Sequence, residues 1–513
     1  MRRIGIDVGG TNTDAVLIEG SDVVAGVKTP TTADVISGVL DALAKLKVSL
    51  GGALEQISSV TIGTTHFLNA VVERRRLNKV AAIRVCLPAS ASLPPFVDWP
   101  KDIANEVNGG RYLVHGGHEY DGRPIAPMQD KEIQEVVHKI NDQGIRSVAV
   151  SAAFSPLSGE CEERVRSIIH DINPEIKVTC SHTLGRIGLL ERENATILNA
   201  ALLDLALDAT QAFENALLAS GVSAPLYISL NDGSVADAKL ARQFPVYCFA
   251  SGATNSMRGA AFLSKISDTI ICDVGGTTTD VGCLINGFPR EANNVVTIGG
   301  VRTLFRMPDI LSIGLGGGTR VRTAPLTVGP DSVGYRITED ALVFGGDVLT
   351  LTDIAVKARL MEVGDTRKLT QIDNELVQQA LQYIEKKIAL TVDRMKTEAK
   401  DVSLIAVGGG APLIPKKLSG VREVLQVPHA EVANAVGAAL AQISGETDQV
   451  YQGLSRSDVL NRAEEQARER AVAAGADENS LKVVEMEDIP IAYLPGHAIR
   501  ARVRVVGDVR AHL

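Results

Sequence analysis

The octapeptide Asp7-Val8-Gly9-Gly10-Thr11-Asn12-Thr13-Asp14 recurs as Asp273-Val274-Gly275-Gly276-Thr277-Thr278-Thr279-Asp280, with seven of eight positions identical. A Gly-Gly turn lets the backbone approach a ligand with no β-carbon in the way. Its N–H groups can converge on phosphate oxygens. Thr11, Thr13, Thr277 and Thr278 add hydroxyl donors. Asp7 and Asp273 cannot face phosphate without repulsion, so Mg2+ or its water shell is expected between them and the phosphates. Both are therefore candidate catalytic and metal-shell carboxylates. Asp14 and Asp280 either share that task or hydrogen-bond their own turns.

Each copy follows a short apolar run and precedes another (Ala15–Ile18, Val281–Ile285), which predicts a strand–turn–strand hairpin. The loop is thus neither of the G-x-x-x-x-G-K-[ST] type nor a strand-to-helix dinucleotide turn. The copies start 266 positions apart (273 less 7), far too widely spaced for a solenoid. Two related domains gripping one nucleotide fit this spacing, with ATP and Mg2+ as cofactors. A third cluster, Gly408-Gly409-Gly410, follows the apolar run Leu404–Val407 and would let adenine or ribose lie against the backbone. The small-residue segments Ala250–Ala253 to Gly259–Ala261 and Ala433–Ala439 predict two helices that cross closely, as a hinge between the domains requires.

Around these loops, strand-like runs (Ile4–Val8, Val80–Val85, Val148–Ala153, Thr269–Cys272, Ser403–Val407) alternate with helical patterns (34–46, 131–141, 195–218, 374–399), which predicts an α/β chain. In the last helix Leu376, Ala380, Leu381, Ile384, Ile388, Val392 and Met395 form the expected core stripe. Pro88–Pro100, with Trp99, reads as a surface excursion, and Gly314–Gly334 as a long loop. The domains are placed at 1–255 (first phosphate loop plus an inserted α/β segment), 256–430 (second phosphate loop and adenosine loop) and 431–513 (return helix and small C-terminal appendage). The net charge of −9 argues against nucleic acid or an anionic membrane as main partner. The run Glu73–Arg76 reads as a solvated helix end. Six cysteines without a C-x-x-C pair read as buried free thiols, and with no apolar run long enough to span a bilayer the expected location is cytoplasmic.

The order of motifs resembles the actin-like ATPase superfamily, which includes sugar kinases and Hsp70. More closely, the chain resembles the ATP-binding A-type subunit of the hydantoinase/5-oxoprolinase family. The resemblance rests on Gly5–Asp14, Gly63-Thr64-Thr65, Asn69–Arg74, Gly117–Arg123, Glu191–Thr196 with Asn199-Ala200, Ser251–Ala253, Asp273–Asp280, Gly314–Thr319 and Val328–Gly334. The sequence departs from the family pattern at Ile62, at His66-Phe67-Leu68 before Asn69, and at Thr319. The resemblance implies a ribonuclease H-like duplicated fold around an interdomain nucleotide cleft. It also implies ATP-driven opening of a cyclic amide such as hydantoin or 5-oxoproline. Thr64, Thr65, Asn69, His118, Asp121, Gly317 and Gly318 are then the candidate substrate residues. A separate B-type hydrolase subunit and an oligomer are the expected partners. The alternatives are a small-molecule kinase, a carboxylase subunit and an ATP-driven switch.

Overall fold

The first octapeptide closes a hairpin. β1 (Arg2–Val8) pairs antiparallel with β2 (Asn12–Glu19), setting Asp7 opposite Asp14 and Val8 opposite Thr13. β3 (Asp22–Pro30) follows beside β2, and β4 (Ile57–Thr64) runs parallel to β1. The computed structural model describes all residues except 32–34, 53, 55, 186, 293–294, 324, 493–496 and 511–513. An inserted layer comes next: β5 (Val80–Leu87), β6 (Asn108–His115), β7 (Ser147–Ala152) and β8 (Lys177–Cys180) form a parallel sheet in the order β6-β5-β7-β8. It has its own apolar core, with Val85, Ile133, Val148 and Ile169 buried. The chain then returns to the first sheet with β9 (Leu226–Ser229), parallel to β4, and β10 (Val235–Asp237).

The second octapeptide repeats the pattern. β11 (Thr269–Val274) and β12 (Thr279–Ile285) set Asp273 opposite Asp280 and Val274 opposite Thr279. β13 (Ile310–Ile313) pairs antiparallel with β12. Gly314–Gly334 proves not to be all loop: β14 (Thr319–Thr323) and β15 (Leu326–Ser332) form a hairpin, because Val321 and Val328 face each other across it and bury in the second core. β16 (Val402–Val407) lies parallel to β11, and β17 (Val421–Gln426) parallel to β16. The order β13-β12-β11-β16-β17 repeats β3-β2-β1-β4-β9 strand for strand, directions included. This is the duplicated actin-like architecture. β18 (Ile443–Tyr451), β19 (Lys482–Pro490) and β20 (Ile499–Gly507) extend the first sheet beyond β10.

Helices cover and connect these sheets. α1 (Val35–Ser49) covers the first sheet; the expected start at Asp34 lies outside the described residues. α2 (His66–Glu73) follows β4 and ends at Arg74, whose φ of 56° stops the helix. The side chain of Arg74 is not simply solvated: its guanidinium reaches Asp102, the Val71 carbonyl and the Gly299 carbonyl. α3 (Leu189–Ala219) is buried along most of its length. Against it packs the Pro88–Pro100 segment, which is not a free surface excursion: Phe96 and Trp99 bury in the first core, and Trp99 Nε1 donates to Asn194 Oδ1 at 2.7 Å. The aromatic pair supplies the burial that holds a proline-rich stretch in place. α4 (Ser251–Ser264) leads from the first sheet to β11. α5 (Asn374–Met395) is capped by Asp373, which accepts from the Glu375 amide, and buries Val377, Ala380, Ile384, Ile388, Val392 and Met395. The stripe enters at Val377 rather than Leu376.

α6 (Ala433–Leu440) crosses α4, and α7 (Arg456–Ala473) packs on β18 and β20 around Val459, Ala463, Ala467, Val503 and Val505. The crossing of α4 and α6 is as close as small residues permit. A β-carbon on Gly259 would run into the Ala433 carbonyl, and one on Gly437 into that of Asn255. Gly5 lets α6 approach β1 in the same way, at Ala435 and Ala439. Among the described residues, no helix is long and apolar enough to cross a membrane, and all six cysteines are free thiols.

Candidate functional site

Asp7 stands at the end of β1, buried, with Gly63 of the parallel strand β4 beside it. A β-carbon on Gly63 would lie 2.7 Å from Asp7 Oδ1, and one on Gly252 at the start of α4 would lie 3.5 Å from it. Glycine at both positions leaves the carboxylate its room. Oδ2 accepts from Asn434 Nδ2 at 2.9 Å, while Oδ1 is buried with no hydrogen-bond partner. Burial, with repulsion from Asp14 and Asp273, pushes Asp7 up to about 7, against the pull of Asn434 and Lys28. A buried acceptor left open in this way is the mark of a site that awaits a donor or a cation.

Asp14 does not hydrogen-bond its own turn. It lies opposite Lys28 of β3, whose Nζ reaches both carboxylate oxygens at 2.6 Å. Burial still raises Asp14 above the ordinary carboxylate range, with Lys28 acting against it. The second hairpin lacks this lysine: Asp280 faces Ser312 of β13, and burial lifts it to about 6. Asp273 is likewise raised by burial, with the nearby Ser256 side chain acting against it.

The Gly-rich segments converge on these aspartates. Gly9 N donates to the Asn12 carbonyl at 3.0 Å and Gly275 N to the Thr278 carbonyl at 2.9 Å, closing two equal turns. The turns meet: a β-carbon on Gly276 would lie 2.5 Å from Thr11 Oγ1. Thr13 is buried, within 3.4 Å of the Thr31 hydroxyl, and Thr31 also braces the Gly9 carbonyl at 2.8 Å. Thr277 and Thr278 are half-buried at the tip of the second turn. Gly408, at φ +87°, packs against Asp273 and Val274, and Gly410 N donates to the Val274 carbonyl at 2.8 Å. Side chains at Gly10 and Gly409 would meet nothing within 4 Å, so both face open space. The phosphate-loop and adenosine-loop candidates thus stand together.

The substrate candidates divide. Thr64 and Thr65 lie at the end of β4 near Asp7, and Asn69 joins them through Thr65. Thr65 lies 3.6 Å from the Gly252 β-carbon position, and Asn69 Nδ2 donates to Thr65 Oγ1 at 3.4 Å. Thr64 exchanges backbone hydrogen bonds with the Ser251 hydroxyl at 3.1 and 3.0 Å. Gly317 and Gly318 instead brace the second turn from behind, donating to the Gly275 and Gly276 carbonyls at 2.9 and 2.7 Å. His118 and Asp121 sit on the inserted layer, where their contacts run to Ala153, Cys161 and Arg123. Asn434, Ser256 and Lys28 escaped sequence reasoning. Asn434 and Ser256 hide in Ala/Gly-rich helices, and only their polarity within such segments signals them.

A second polar group lies in the inserted layer. Ligand atoms of Glu162, Cys180 and His182 come within 4.8 Å of one another. Glu162 is already satisfied by the Ala152 and His182 amides, the Ser181 hydroxyl and His182 Nδ1, all at 2.5–2.9 Å. Burial pushes it up, but these hydrogen bonds outweigh burial and hold it below its ordinary value. Burial also pushes the Cys180 thiol far up, which keeps it protonated. The group ties the start of the Glu160–Ile172 helix to β8.

Residues 3–173 match the hydantoinase/oxoprolinase N-terminal region, and residues 192–447 match the hydantoinase/oxoprolinase domain that follows it. The chain belongs to the hydantoinase/oxoprolinase family. Curated proteins similar to it include an uncharacterised protein of Methanocaldococcus jannaschii, 26% identical over 86% of this chain and 72% of that protein. The acetophenone carboxylase gamma subunit of Aromatoleum aromaticum is 27% identical over 69% of this chain and 52% of its own length. Caprolactamase subunit alpha of Pseudomonas jessenii is 24% identical over 68% and 53%. The chain therefore spans about half the length of these last two. Its fold is that of the ATP-dependent caprolactamase from P. jessenii (TM-score 0.80, 18% identity, 99% of this chain and 88% of that one). It is also that of nucleotide-free acetone carboxylase (TM-score 0.72, 17% identity, 100% and 89%).

Proposed function

We propose that this hydantoinase/oxoprolinase-family chain is the ATP-handling subunit of an enzyme that opens a cyclic amide. The observation that carries the reading is the meeting of two identical Gly-Gly-Thr turns at Thr11 and Gly276, with the open Oδ1 of Asp7 beside them. The turn amides and threonine hydroxyls would hold the phosphates, and the Gly408–Gly410 loop the adenosine. Buried Asp7 and half-buried Asp273, close enough to raise the proton affinity of Asp7, fit a Mg2+ held through water. That ion would neutralise phosphate charge.

An amide carbonyl is a poor electrophile. Attack of its oxygen on the γ-phosphorus forms a C–O–P bond as the bond to ADP breaks. Water then adds to the activated carbon, the C–N bond breaks with a proton passing to nitrogen, and a second water cleaves the resulting acyl phosphate. The chain's own part is to align the amide oxygen with the γ-phosphoryl group. Thr65, beside Gly252, and Asn69, hydrogen-bonded to Thr65, would bind the amide. The later hydrolytic steps are assigned to a separate B-type subunit in an oligomer, within the cytoplasm.

A carboxylase subunit is the second reading, favoured by the likeness to the acetophenone carboxylase gamma subunit. There the phosphorylated oxygen would belong to a ketone enolate. The test is ATP hydrolysis by the chain, with and without a B-type subunit, against hydantoin, 5-oxoproline, ε-caprolactam, and acetophenone with bicarbonate. ADP release coupled to a ring-opened acid supports the first reading. Coupling to acetophenone alone overturns it in favour of the second.

A further inference from the structure

The crossing helices carry a matched pair of polar side chains at their waist. Ser256 precedes Gly259 by three residues in α4, and Asn434 precedes Gly437 by three residues in α6. The two glycines are where the helices touch. Residues three apart share a helix face, so Ser256 and Asn434 leave the crossing from corresponding positions.

Each reaches a different aspartate. Asn434 Nδ2 donates to Asp7 Oδ2 at 2.9 Å, and the Ser256 side chain lies near enough to Asp273 to favour its ionised form. The Ala435 amide donates to Asn434 Oδ1 at 2.9 Å, which fixes the side chain with its NH2 toward Asp7. Packing of the crossing does not call for polarity here. α6 reads Ala-Asn-Ala-Val-Gly-Ala-Ala-Leu, so Asn434 is its one polar side chain, and Ser256 is 1% exposed. A buried polar group in a small-residue contact is unfavourable unless it is satisfied; Asn434 is satisfied by Asp7, and Ser256 lies beside Asp273. The pairing also crosses between the repeats. Asp7 belongs to the first hairpin, yet its partner comes from the helix that follows the second sheet.

We propose that Ser256 and Asn434 are a pair of positioning residues that aim Asp273 and Asp7 from the helix crossing. Oδ2 of Asp7 is pinned by Asn434, which leaves Oδ1 to face the reacting groups. Any change in the angle between α4 and α6 then moves both carboxylates together, coupling cleft closure to the alignment of the site.

This inference rests on the nucleotide reading above, and the test separates the two. Wild type, Ser256→Ala and Asn434→Ala are compared for fluorescent mant-ADP binding in Mg2+, for melting temperature, and for kcat and KM of basal ATP hydrolysis. Asn434→Asp, which keeps the shape and loses the donor, accompanies them. A hydrogen bond to a charged group is worth about 10- to 100-fold. The expected result is that much loss in kcat for all three variants, with KM and mant-ADP affinity within about threefold and melting temperature little changed. Wild-type kcat in the variants overturns the proposal and leaves the nucleotide site standing. So does a fall in melting temperature with kcat intact, the signature of a purely structural role. A wild type that binds no mant-ADP overturns the nucleotide reading and this inference with it.

Discussion

Thr11 and Gly276 touch across the duplicated hairpins: the β-carbon that Gly276 lacks would fall 2.5 Å from the Thr11 hydroxyl. The two turns can close on one ligand only while that position is bare. Gly276→Ala should therefore hold the hairpins apart. Overpacking of this kind costs about 1–3 kcal/mol, which corresponds to roughly 10- to 100-fold in ADP affinity. Removing the opposing side chain should relieve it, so Gly276→Ala with Thr11→Ala should bind ADP more tightly than Gly276→Ala alone. Isothermal titration of the single and double variants reads this, and equal affinities would count against a closed cleft.

Asp7 couples function to instability. Its folded value of about 7 lies above the ordinary 3.8, so the folded protein holds this proton more tightly than the unfolded chain. Its contribution to stability is full below about 3.8 and is lost as pH rises through about 7. The gap is worth roughly 4 kcal/mol at 1.36 kcal/mol per pH unit. Asp7→Asn should raise the melting temperature of metal- and nucleotide-free protein at pH 8 and change it little at pH 4. The same variant should lower kcat on the order of 10²–10³-fold. Calorimetry in EDTA and an ATPase assay check the two halves. A variant less stable than wild type at pH 8 would show that Asp7 caps its hairpin instead.

Much of this site was legible in the sequence because its signal is local. A Gly-Gly turn between two apolar runs determines its own hairpin, and seven identities in eight made the pair unmistakable. The α4–α6 crossing was legible for the same reason, since close helix contact demands small residues. What stayed hidden depends on tertiary register. Lys28 meets Asp14 only because β3 pairs with β2, and nothing near Lys28 in the chain announces it. Phe96 and Trp99 looked like surface residues in a proline-rich stretch, because the wall they pack against, α3, lies far along the chain. The single reading of Gly317 and Gly318 as substrate residues met a competing use: their amides already hold the carbonyls of the second turn.

Two glycines should respond in opposite ways to the same small change. Gly437→Ala drives a methyl group into the Asn255 carbonyl. Backbone cannot yield as a flexible side chain can, so this variant should lose at least 3 kcal/mol of stability or fail to fold. Gly409→Ala adds its methyl where nothing lies within 4 Å. That variant should keep its melting temperature and lose affinity for ADP, because the open space is where the adenosine loop would admit its ligand. Thermal melts with mant-ADP titration of both variants test the assignment, and a Gly409→Ala protein with wild-type affinity would move the adenosine elsewhere.

The last prediction concerns what this chain does alone. It spans about half the length of the acetophenone carboxylase gamma subunit and caprolactamase subunit alpha, each of which is one subunit of its enzyme. Its site offers two Gly-Gly-Thr turns, the buried Asp7 and half-buried Asp273, and the neutral donors Thr65 and Asn69. Those groups suit activation of a carbonyl oxygen by phosphoryl transfer. Breaking the C–N bond asks for more: an activated water and a proton donor for the leaving nitrogen. In the proposed reading Asp7, Asp273 and their neighbours serve the phosphate side of the cleft. The purified chain should therefore bind and slowly hydrolyse ATP, and in the presence of a cyclic amide release little or no ring-opened acid. Adding a B-type subunit should raise coupled ring opening by at least tenfold while leaving ADP affinity within about threefold, since uniform nucleotide binding and chemistry at the amide carbon are separable contributions. Mass spectrometry of the product alongside ADP release measures the coupling. Steady, ATP-coupled ring opening by this chain alone would overturn the division of labour between two subunits.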